Sequence, residues 1–367
     1  MVIDRRQILT LMLAGLAGSA TARGEALRQR LFVACRMDAA QTASVACFDS
    51  QGREVFATAL PARGHDVAVN ARRREVAVFA RRPGNWFTVI DRDSGIPRHT
   101  IHAPEGRHFY GHGVFSEDGR FLYATENNMA SGDGIIGIYA VTDGYPRIGE
   151  LASGGIGPHD LVLMPDGRSL AVANGGLRTH PDSGRETLNP DDLSPNLAVI
   201  DLATGQMRSV FELDHALRRL SIRHLAMRGD GLLAFGCQHE GDSEDLPPLL
   251  GTLSPSGKIS LLDVPEDALA RLHNYVGSVG FDDSGTWLTA TSPRGGSALI
   301  WNMRRDALAA SLMLPDVCGV AACGPESFLL SSGNAGLKMA MADGSMTAAG
   351  GLGWIWDNHT LSLDLGR

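Results

Sequence analysis

Three stretches of the chain share one pattern: GHGVFSEDGRFLYATEN at residues 111–127, PHDLVLMPDGRSLAVANGG at 158–176 and RHLAMRGDGLLAFGCQ at 223–238. Each stretch reads as a histidine, an apolar strand, an Asp-Gly turn and a second apolar strand. Asp-Gly between two such strands favours a β-hairpin, because glycine readily adopts the positive φ that a tight turn needs. The chain therefore contains repeated hairpins that each begin close to a histidine.

Weaker copies of the same pattern lie at 64–81, 276–292 and 318–334. A third strand is predicted after several hairpins, for example at 196–201, and a fourth strand, such as 147–151, leads into the next copy. Most copies follow one another at intervals of 40 to 54 residues, and one longer interval contains a polar insertion at 177–192. Units of this length with four short strands are typical of propeller blades.

The two ends of the chain are predicted to form the last blade together. Strands predicted near 31–36, 44–49 and 54–60 have no first strand of their own, and a strand at 354–363 could supply it. We therefore predict an all-β protein, a seven-bladed β-propeller spanning residues 23–367 as one domain, with the ring closed by pairing of the N- and C-terminal strands. Six or eight blades are the alternatives.

Composition agrees with this architecture and excludes other classes. The chain has 367 residues with 44 Gly and 17 Pro, which suits many tight turns and disfavours a helical bundle. A formal net charge of −8 argues against nucleic-acid binding. The five cysteines form no CxxC pair, so neither a zinc ribbon nor a disulfide scaffold is indicated.

Residues 1–22 are predicted to be a cleaved export signal. A charged start with Arg5-Arg6 precedes an apolar run at 8–16 and small residues that end in an Ala20-Thr-Ala22 cleavage pattern. The apolar run is too short to span a bilayer, so we expect no transmembrane segment in the mature chain. The arginine pair favours a twin-arginine signal and hence a periplasmic location, with an ordinary secretory signal as the alternative.

Equivalent positions at the inner strands of the blades are predicted to face one another around the central channel. The repeat alignment places these residues there: His65, His112, His159, His224, Ser278, Cys318 and His359. Imidazole is the commonest metal ligand, so the five histidines, with Cys318, are candidates to bind an iron or copper ion, or a haem. The alternative is a structural ring, in which each histidine bonds the backbone of a neighbouring blade.

Other polar residues are expected to line the mouth of the channel. Glu126, His239 and Arg294 follow second strands of their repeats and are candidate cofactor-binding residues. The insertion could lie across the funnel and contact an anionic group through Arg178, His180 and Arg185, with a solvated loop as the alternative.

Two further expectations concern arginines. Arg223 is expected to pair with a channel acid. Arg81 and Arg82, in contrast, are expected to belong to a solvated surface.

The stretches TENN, GIGPHDLVLMPDG, ANGGLRTHPDSGRETLNP, SIRHLA, TSPRGG and DNHTL together resemble a known bacterial family. It is the twin-arginine-exported periplasmic family described as domain of unknown function 1513, and the resemblance covers nearly the whole mature chain. Genes of that family commonly lie beside those of imelysin-like lipoproteins and di-haem thiol oxidoreductase-like proteins. The resemblance therefore implies a role in periplasmic iron or metal handling with such partners, and it assigns no catalytic residue.

Three functions follow from these observations. The first is a non-enzymatic propeller that binds a transition metal or haem in its His-lined funnel and acts in iron acquisition. The second is an enzyme, either a metal-dependent oxidoreductase or a lactonase-like hydrolase. A lactonase channel would hold its divalent cation with carboxylates, whereas this pattern is rich in imidazole. The third is an interaction scaffold with a purely structural histidine ring.

Overall fold

The computed structural model describes residues 30–184 and 186–363. The predicted signal segment 1–22 and the candidate Arg185 lie outside these ranges. Seven four-stranded antiparallel sheets form the blades of a β-propeller, which confirms the predicted fold class and the number of blades. None of the helices in the described ranges has the length and apolar character that a bilayer crossing requires.

The strands are numbered in chain order. The first three, in blade 7, are β1 (Leu31–Met37), β2 (Ala43–Asp49) and β3 (Glu54–Ala59). Blade 1 has β4 (Gly64–Asn70), β5 (Glu75–Ala80), β6 (Trp86–Asp91) and β7 (Pro97–His102). Blade 2 has β8 (Arg107–Phe115), β9 (Phe121–Asn128), β10 (Gly134–Ala140) and β11 (Arg147–Ala152). Blade 3 has β12 (Pro158–Leu163), β13 (Ser169–Asn174), β14 (Asn196–Asp201) and β15 (Met207–Glu212).

The second half of the ring repeats this order. Blade 4 has β16 (Leu220–Met227), β17 (Leu233–His239), β18 (Leu250–Leu253) and β19 (Ile259–Leu261). Blade 5 has β20 (Ser278–Phe281), β21 (Trp287–Ser292), β22 (Ser297–Asn302) and β23 (Ala307–Met313). Blade 6 has β24 (Val317–Gly324), β25 (Ser327–Ser332), β26 (Gly336–Met341) and β27 (Met346–Ala348). The last strand is β28 (Ile355–Ser362).

Within residues 30–184 and 186–363, helical structure is confined to connections between strands. Two short 3₁₀ turns lie at Pro181–Ser183 and His215–Leu217, and helix α1 spans Glu266–Ala270. The first of these turns belongs to the polar insertion between β13 and β14. The helix precedes blade 5, where it buries Ala268 and Leu269.

Pairing of β28 with β1 closes the ring, as the sequence predicts. The two strands are antiparallel, and Val33 lies opposite Leu361. The strand order in this blade is β28-β1-β2-β3, so the last strand of the chain is the innermost strand of blade 7. The inner strands contact one another in sequence around the axis, and β28 contacts both β24 and β4.

The hairpin turns adopt the backbone conformation that their sequence predicts. Gly119, Gly167 and Gly231, each after an aspartate, have φ values of 69°, 62° and 90°. Between blades, apolar side chains of adjacent sheets form buried clusters, such as Phe79, Phe87 and Phe109 between blades 1 and 2. Burial of these faces drives stacking of the blades around the axis.

Trp356 lies on β28, the strand that closes the ring. We predict that Trp356→Ala lowers the free energy of unfolding by about 3–5 kcal/mol, because it removes a large buried side chain. The Trp356 side chain is 1% exposed and packs on Phe48 with ring centroids 4.9 Å apart. Its Nε1 donates a hydrogen bond to the Gly351 carbonyl at 3.0 Å. Urea denaturation measures the change.

The matched control is Leu352→Ala, because the Leu352 side chain is 74% exposed. We expect this variant to stay within about 0.5 kcal/mol of the wild type. Equal unfolding free energies for the two variants would contradict the assigned role of Trp356.

Candidate functional site

The innermost strands bring five histidines together on the propeller axis. We call this group the His ring; it consists of His65 in β4, His112 in β8, His159 in β12, His224 in β16 and His359 in β28. Each side chain is buried, with no residue more than 9% exposed. Ser278 and Cys318 occupy the inner strands of blades 5 and 6, as the repeat alignment predicts.

A break in strand register accompanies every histidine of the ring. In blade 3, for example, Pro158 pairs with Asn174 and Asp160 pairs with Ala173, so His159 is an extra residue. Similar shifts occur beside the other four histidines. A bulge bends the strand and redirects a side chain, which explains how a residue on a paired strand can face the channel. The hairpin pattern of the sequence does not predict these bulges.

The imidazoles of the ring lie close together, and three at a time they could share a bound ion. Ring centroids are 4.9 Å apart for His65 and His112, 4.8 Å for His65 and His359, and 4.9 Å for His159 and His224. Two trios have nitrogens within 4.8 Å of one another: His65, His112 and His359, and His112, His159 and His224. An ion central to such a trio would lie at most about 2.8 Å from each nitrogen, so shifts below about 1 Å would give metal–nitrogen bonds near 2.1 Å.

Buried carboxylates orient two of the rings. His65 Nδ1 lies 3.0 Å from Asp357 Oδ1. His112 Nδ1 lies 3.2 Å from Asp66 Oδ2 and 3.6 Å from Asp160 Oδ1. A proton on Nδ1 of His65 makes the hydrogen bond with Asp357 and leaves the lone pair on Nε2, which is the arrangement found around metal-bound histidines. The carboxylates near Nδ1 of His112 favour the same tautomer there.

Several ring nitrogens are buried without a hydrogen-bond partner among the described residues. These atoms are Nε2 of His112, Nδ1 and Nε2 of His224, and Nε2 of His359. Leaving a buried polar atom unpaired costs about 1–3 kcal/mol. Four such atoms in one cluster therefore point to a ligand that the protein side chains do not provide.

Burial keeps the imidazoles neutral. It lowers the pKa of His65, His159 and His224 well below the usual 6.5, and that of His359 to about 4. The positive charge that any one ring would carry also opposes protonation of its neighbours. Neutral imidazole is the form that binds metal, so the ring retains its lone pairs at neutral pH.

Burial acts in the opposite direction on two of the aspartates and raises the pKa of Asp66 and of Asp160 from 3.8 to about 6. Asp357 differs, because the hydrogen bond with His65 and the charges of Arg81 and Arg63 outweigh its burial and hold its pKa well below its usual range. These three aspartates add negative charge beside the neutral rings. A bound cation would be favoured by that charge.

A cavity of about 410 Å³ opens above the ring and gives access to it. His65 and His159 form part of its wall, together with Cys318. The polar insertion covers one side through Leu177, Thr179, Gly184 and Thr187, as expected for a segment lying across the funnel. A small molecule in this cavity would therefore contact the His ring.

The predicted cofactor-binding residues divide into two groups. Arg294 lines the cavity and stacks on Tyr275, with the guanidinium carbon 4.7 Å from the ring centroid. Arg178 is exposed outside the cavity, and His180 lines a small neighbouring pocket and accepts a hydrogen bond from the Asp182 backbone. His239 is held by Asp245 at 3.3 Å and does not line the cavity.

Glu126 is placed inside blade 2 rather than at the channel. It is fully buried, accepts a hydrogen bond from the Tyr139 hydroxyl at 2.8 Å and pairs with Arg147 at 2.9 Å. These contacts give it a structural role in the blade. Cys318 lies outside both imidazole trios, and its thiol donates to the Asp316 carbonyl at 3.0 Å. Burial raises the pKa of this thiol, which disfavours the thiolate that a metal would require.

Two expectations about arginines have different outcomes. Arg223 pairs with Glu240 at 2.9 Å beside the channel, as predicted. Arg81 and Arg82 are not a solvated surface: Arg81 reaches the buried Asp357 at 2.7 Å, and Arg82 lines the cavity. The turn after β5 lies at the mouth of the channel, which explains the difference.

The sequence pattern did not identify the carboxylates Asp66, Asp160 and Asp357 as part of the site. Two of them directly follow ring histidines, and the pair His-Asp at 65–66 and 159–160 was the available signal. They contact ring nitrogens or backbone groups rather than forming a cation site of their own among the described residues.

The fold and this cluster define a seven-bladed propeller with a buried imidazole site on its axis. Residues 58–363 match the sequence model of the family "Protein of unknown function (DUF1513)", and the chain belongs to that family. A comparison with curated proteins found no match.

Among solved structures, the chain is similar to Kuenenia stuttgartiensis Hydrazine Synthase. The TM-score is 0.59 at 15% sequence identity, over 79% of this chain and 86% of that chain. At this identity the likeness shows the fold alone.

Because the imidazoles are buried, we predict that the free energy of unfolding of the metal-free protein decreases as pH falls from about 7 to 5. The folded-state pKa values of the ring histidines lie below the unfolded value, so the unfolded chain binds more protons in this range. Asp66 and Asp160, with raised pKa values, act in the opposite direction and offset part of the loss. Urea denaturation in a chelator at several pH values measures the slope.

His224→Gln should reduce this slope by up to about 1.4 kcal/mol per pH unit, the contribution of one proton. The exposed His215 provides the control, and His215→Gln should keep the wild-type slope. If the unfolding free energy of the wild type did not decrease towards pH 5, the ring histidines could not be neutral by desolvation.

Proposed function

We propose that this protein binds a transition metal ion, iron or copper, in the His ring, and that it acts as a binding protein rather than an enzyme. The observation that carries the proposal is the set of buried, unpaired nitrogens on His112, His224 and His359. Coordination would use the one lone pair that each neutral imidazole keeps. Imidazole ligands suit copper and iron, and the neighbouring carboxylates balance the charge of a cation.

The contacts of the ring argue against a purely structural role. A histidine that only holds the blades together would form a hydrogen bond with the backbone of an adjacent blade. The ring nitrogens of His65 and His112 contact aspartate side chains instead. These contacts also join neighbouring blades, but other side chains provide such links without a histidine. Asp160 accepts from the Leu225 backbone N–H at 2.9 Å, and Asn70 donates to the Gly119 carbonyl at 3.0 Å.

The spacing of the rings favours an ion over a haem. Adjacent centroids in the trios are 4.8 to 5.1 Å apart for His65, His112 and His159 with their neighbours. This leaves room for an ion between the rings but not for a porphyrin. Bound metal would supply a positively charged centre with open coordination positions, while the chain's aspartates would fix the orientation of His65 and His112.

We further propose that the protein works in the periplasm, exported by the twin-arginine pathway. The Arg5-Arg6 pair and the apolar run that follows support this location. The resemblance described above supports a role in iron acquisition with imelysin-like and di-haem proteins as partners. A periplasmic site of neutral imidazoles would provide a store or carrier for a metal that those partners use.

Metal analysis tests the central proposal. We expect metal-free wild-type protein, incubated with Cu(II) or with Fe(II) under anaerobic conditions and then desalted, to retain about one ion per chain. His112→Asn should reduce retention at least about tenfold, because His112 belongs to both trios. Elemental analysis and isothermal titration calorimetry provide the measurement.

His180→Asn is the matched control, since His180 lies in the insertion outside both trios. It should retain metal like the wild type, and circular dichroism checks that both variants fold. The proposal fails if folded wild-type protein retains neither ion, or if the two variants bind equally.

Export provides a separate test. Replacing Arg5 and Arg6 with lysine should leave a reporter-tagged chain in the cytoplasm, because twin-arginine recognition requires the arginine pair. Arg28→Lys lies beyond the predicted cleavage site and should be exported normally. Periplasmic accumulation of the double variant at the wild-type level would indicate the ordinary secretory route instead.

A further inference from the structure

The cavity above the His ring carries an excess of positive charge. Among the residues that the structure describes, five arginines form part of its wall: Arg63, Arg81, Arg82, Arg223 and Arg294. Two acids, Glu240 and Asp316, also line it, and the buried Asp357 lies behind the wall. Within the wall itself, five guanidinium groups therefore face two carboxylates. Such an excess in a partly enclosed cavity attracts anions.

The arginines differ in how far their charge is already neutralised. Arg63 and Arg81 share the carboxylate of Asp357, with N–O distances of 2.5 and 2.7 Å. Arg223 pairs with Glu240 at 2.9 Å. For Arg82 and Arg294, in contrast, no carboxylate partner lies within ion-pair distance among the described residues. These two guanidinium groups remain available to a ligand.

Aromatic rings hold both of these groups in place. The guanidinium carbon of Arg82 lies 4.6 Å from the centroid of Tyr110, and that of Arg294 lies 4.7 Å from the centroid of Tyr275. Arg82 also donates to the Thr179 hydroxyl at 3.0 Å. A guanidinium stacked on an aromatic face keeps its N–H edge free for a carboxylate and loses less entropy on binding.

The available charges come from different sides of the funnel. Arg82 follows β5 in blade 1, whereas Arg294 follows β21 in blade 5, almost across the seven-bladed ring. A compact anion with a single charged group would contact one side only. A molecule with carboxylates at separated positions would engage both arginines.

We propose that this cavity binds a small organic polycarboxylate, held by Arg82 and Arg294 from different sides of the funnel. A volume of about 410 Å³ accommodates a molecule of that class. Arginine forms paired hydrogen bonds with a carboxylate, which gives this ligand both its affinity and its orientation.

The position of the cavity connects this ligand with the His ring. His65 belongs to one imidazole trio and His159 to the other, and both side chains line the cavity. A polycarboxylate held above them places oxygen ligands against either trio. The protein would then take up its metal as a polycarboxylate complex, an extension that rests on the proposed metal-binding function.

Isothermal titration of citrate into metal-free protein at low ionic strength tests the anion site without any metal. We expect saturable binding that weakens as salt increases. Arg82→Gln and Arg294→Gln should each weaken citrate binding at least about tenfold, as expected for loss of a charge-assisted hydrogen bond. Arg305→Gln is the matched control, because Arg305 is exposed in a turn of blade 5 outside the cavity.

Inorganic phosphate distinguishes a polycarboxylate from a simple oxyanion. Citrate should bind at least about tenfold more tightly than phosphate, since only citrate reaches separated arginines. Equal affinities would overturn the polycarboxylate assignment. The proposal is also overturned if citrate does not bind to folded protein, or if the Arg82 and Arg294 variants match Arg305→Gln.

The two proposals can fail separately. His112→Asn should still bind citrate in the metal-free form, because His112 does not line the cavity. Loading wild-type protein with metal should strengthen citrate binding, and His112→Asn should abolish this gain. Citrate binding without any metal retention would contradict the metal-binding function alone, whereas metal retention without citrate binding would contradict the anion site alone.

Discussion

Antiparallel pairing of β28 with β1 is the constraint on which the rest of the structure depends. It makes the end of the chain the innermost strand of the blade that the beginning of the chain completes. That strand contributes His359 to the ring and Asp357 to the contact with His65. Closure of the fold and assembly of the site are therefore one event, and an open ring would lack both residues.

Desolvation then determines the chemistry of the cluster. Five imidazoles at the centre of the ring cannot all carry charge, because each would be buried and repelled by its neighbours. The structure keeps them neutral and places Asp66, Asp160 and Asp357 beside them. Above this level the charge reverses, since arginines dominate the cavity wall. A cation site thus lies directly beneath an anion-attracting chamber, which is the basis for our two proposals.

Much of the architecture could be predicted because the repeat is strong. Asp-Gly turns at 118–119, 166–167 and 230–231 set the register of the blades, and the same register placed the five histidines on inner strands. Residues outside the repeat were harder to place. Glu126 and Arg294 follow equivalent strands, yet one is buried in blade 2 against Tyr139 and the other lines the cavity. Local pattern does not distinguish these two environments.

By itself, the sequence determined the number of blades, the closure of the ring and the identity of the five axial histidines, since turn chemistry and strand periodicity are local properties. Only the tertiary structure decided what surrounds them. The bulges that direct His159 to the axis, the aspartates that orient His65 and His112, and the arginines Arg82 and Arg294 facing one chamber all depend on contacts between blades. Those contacts join residues far apart in the chain, and no local pattern records them.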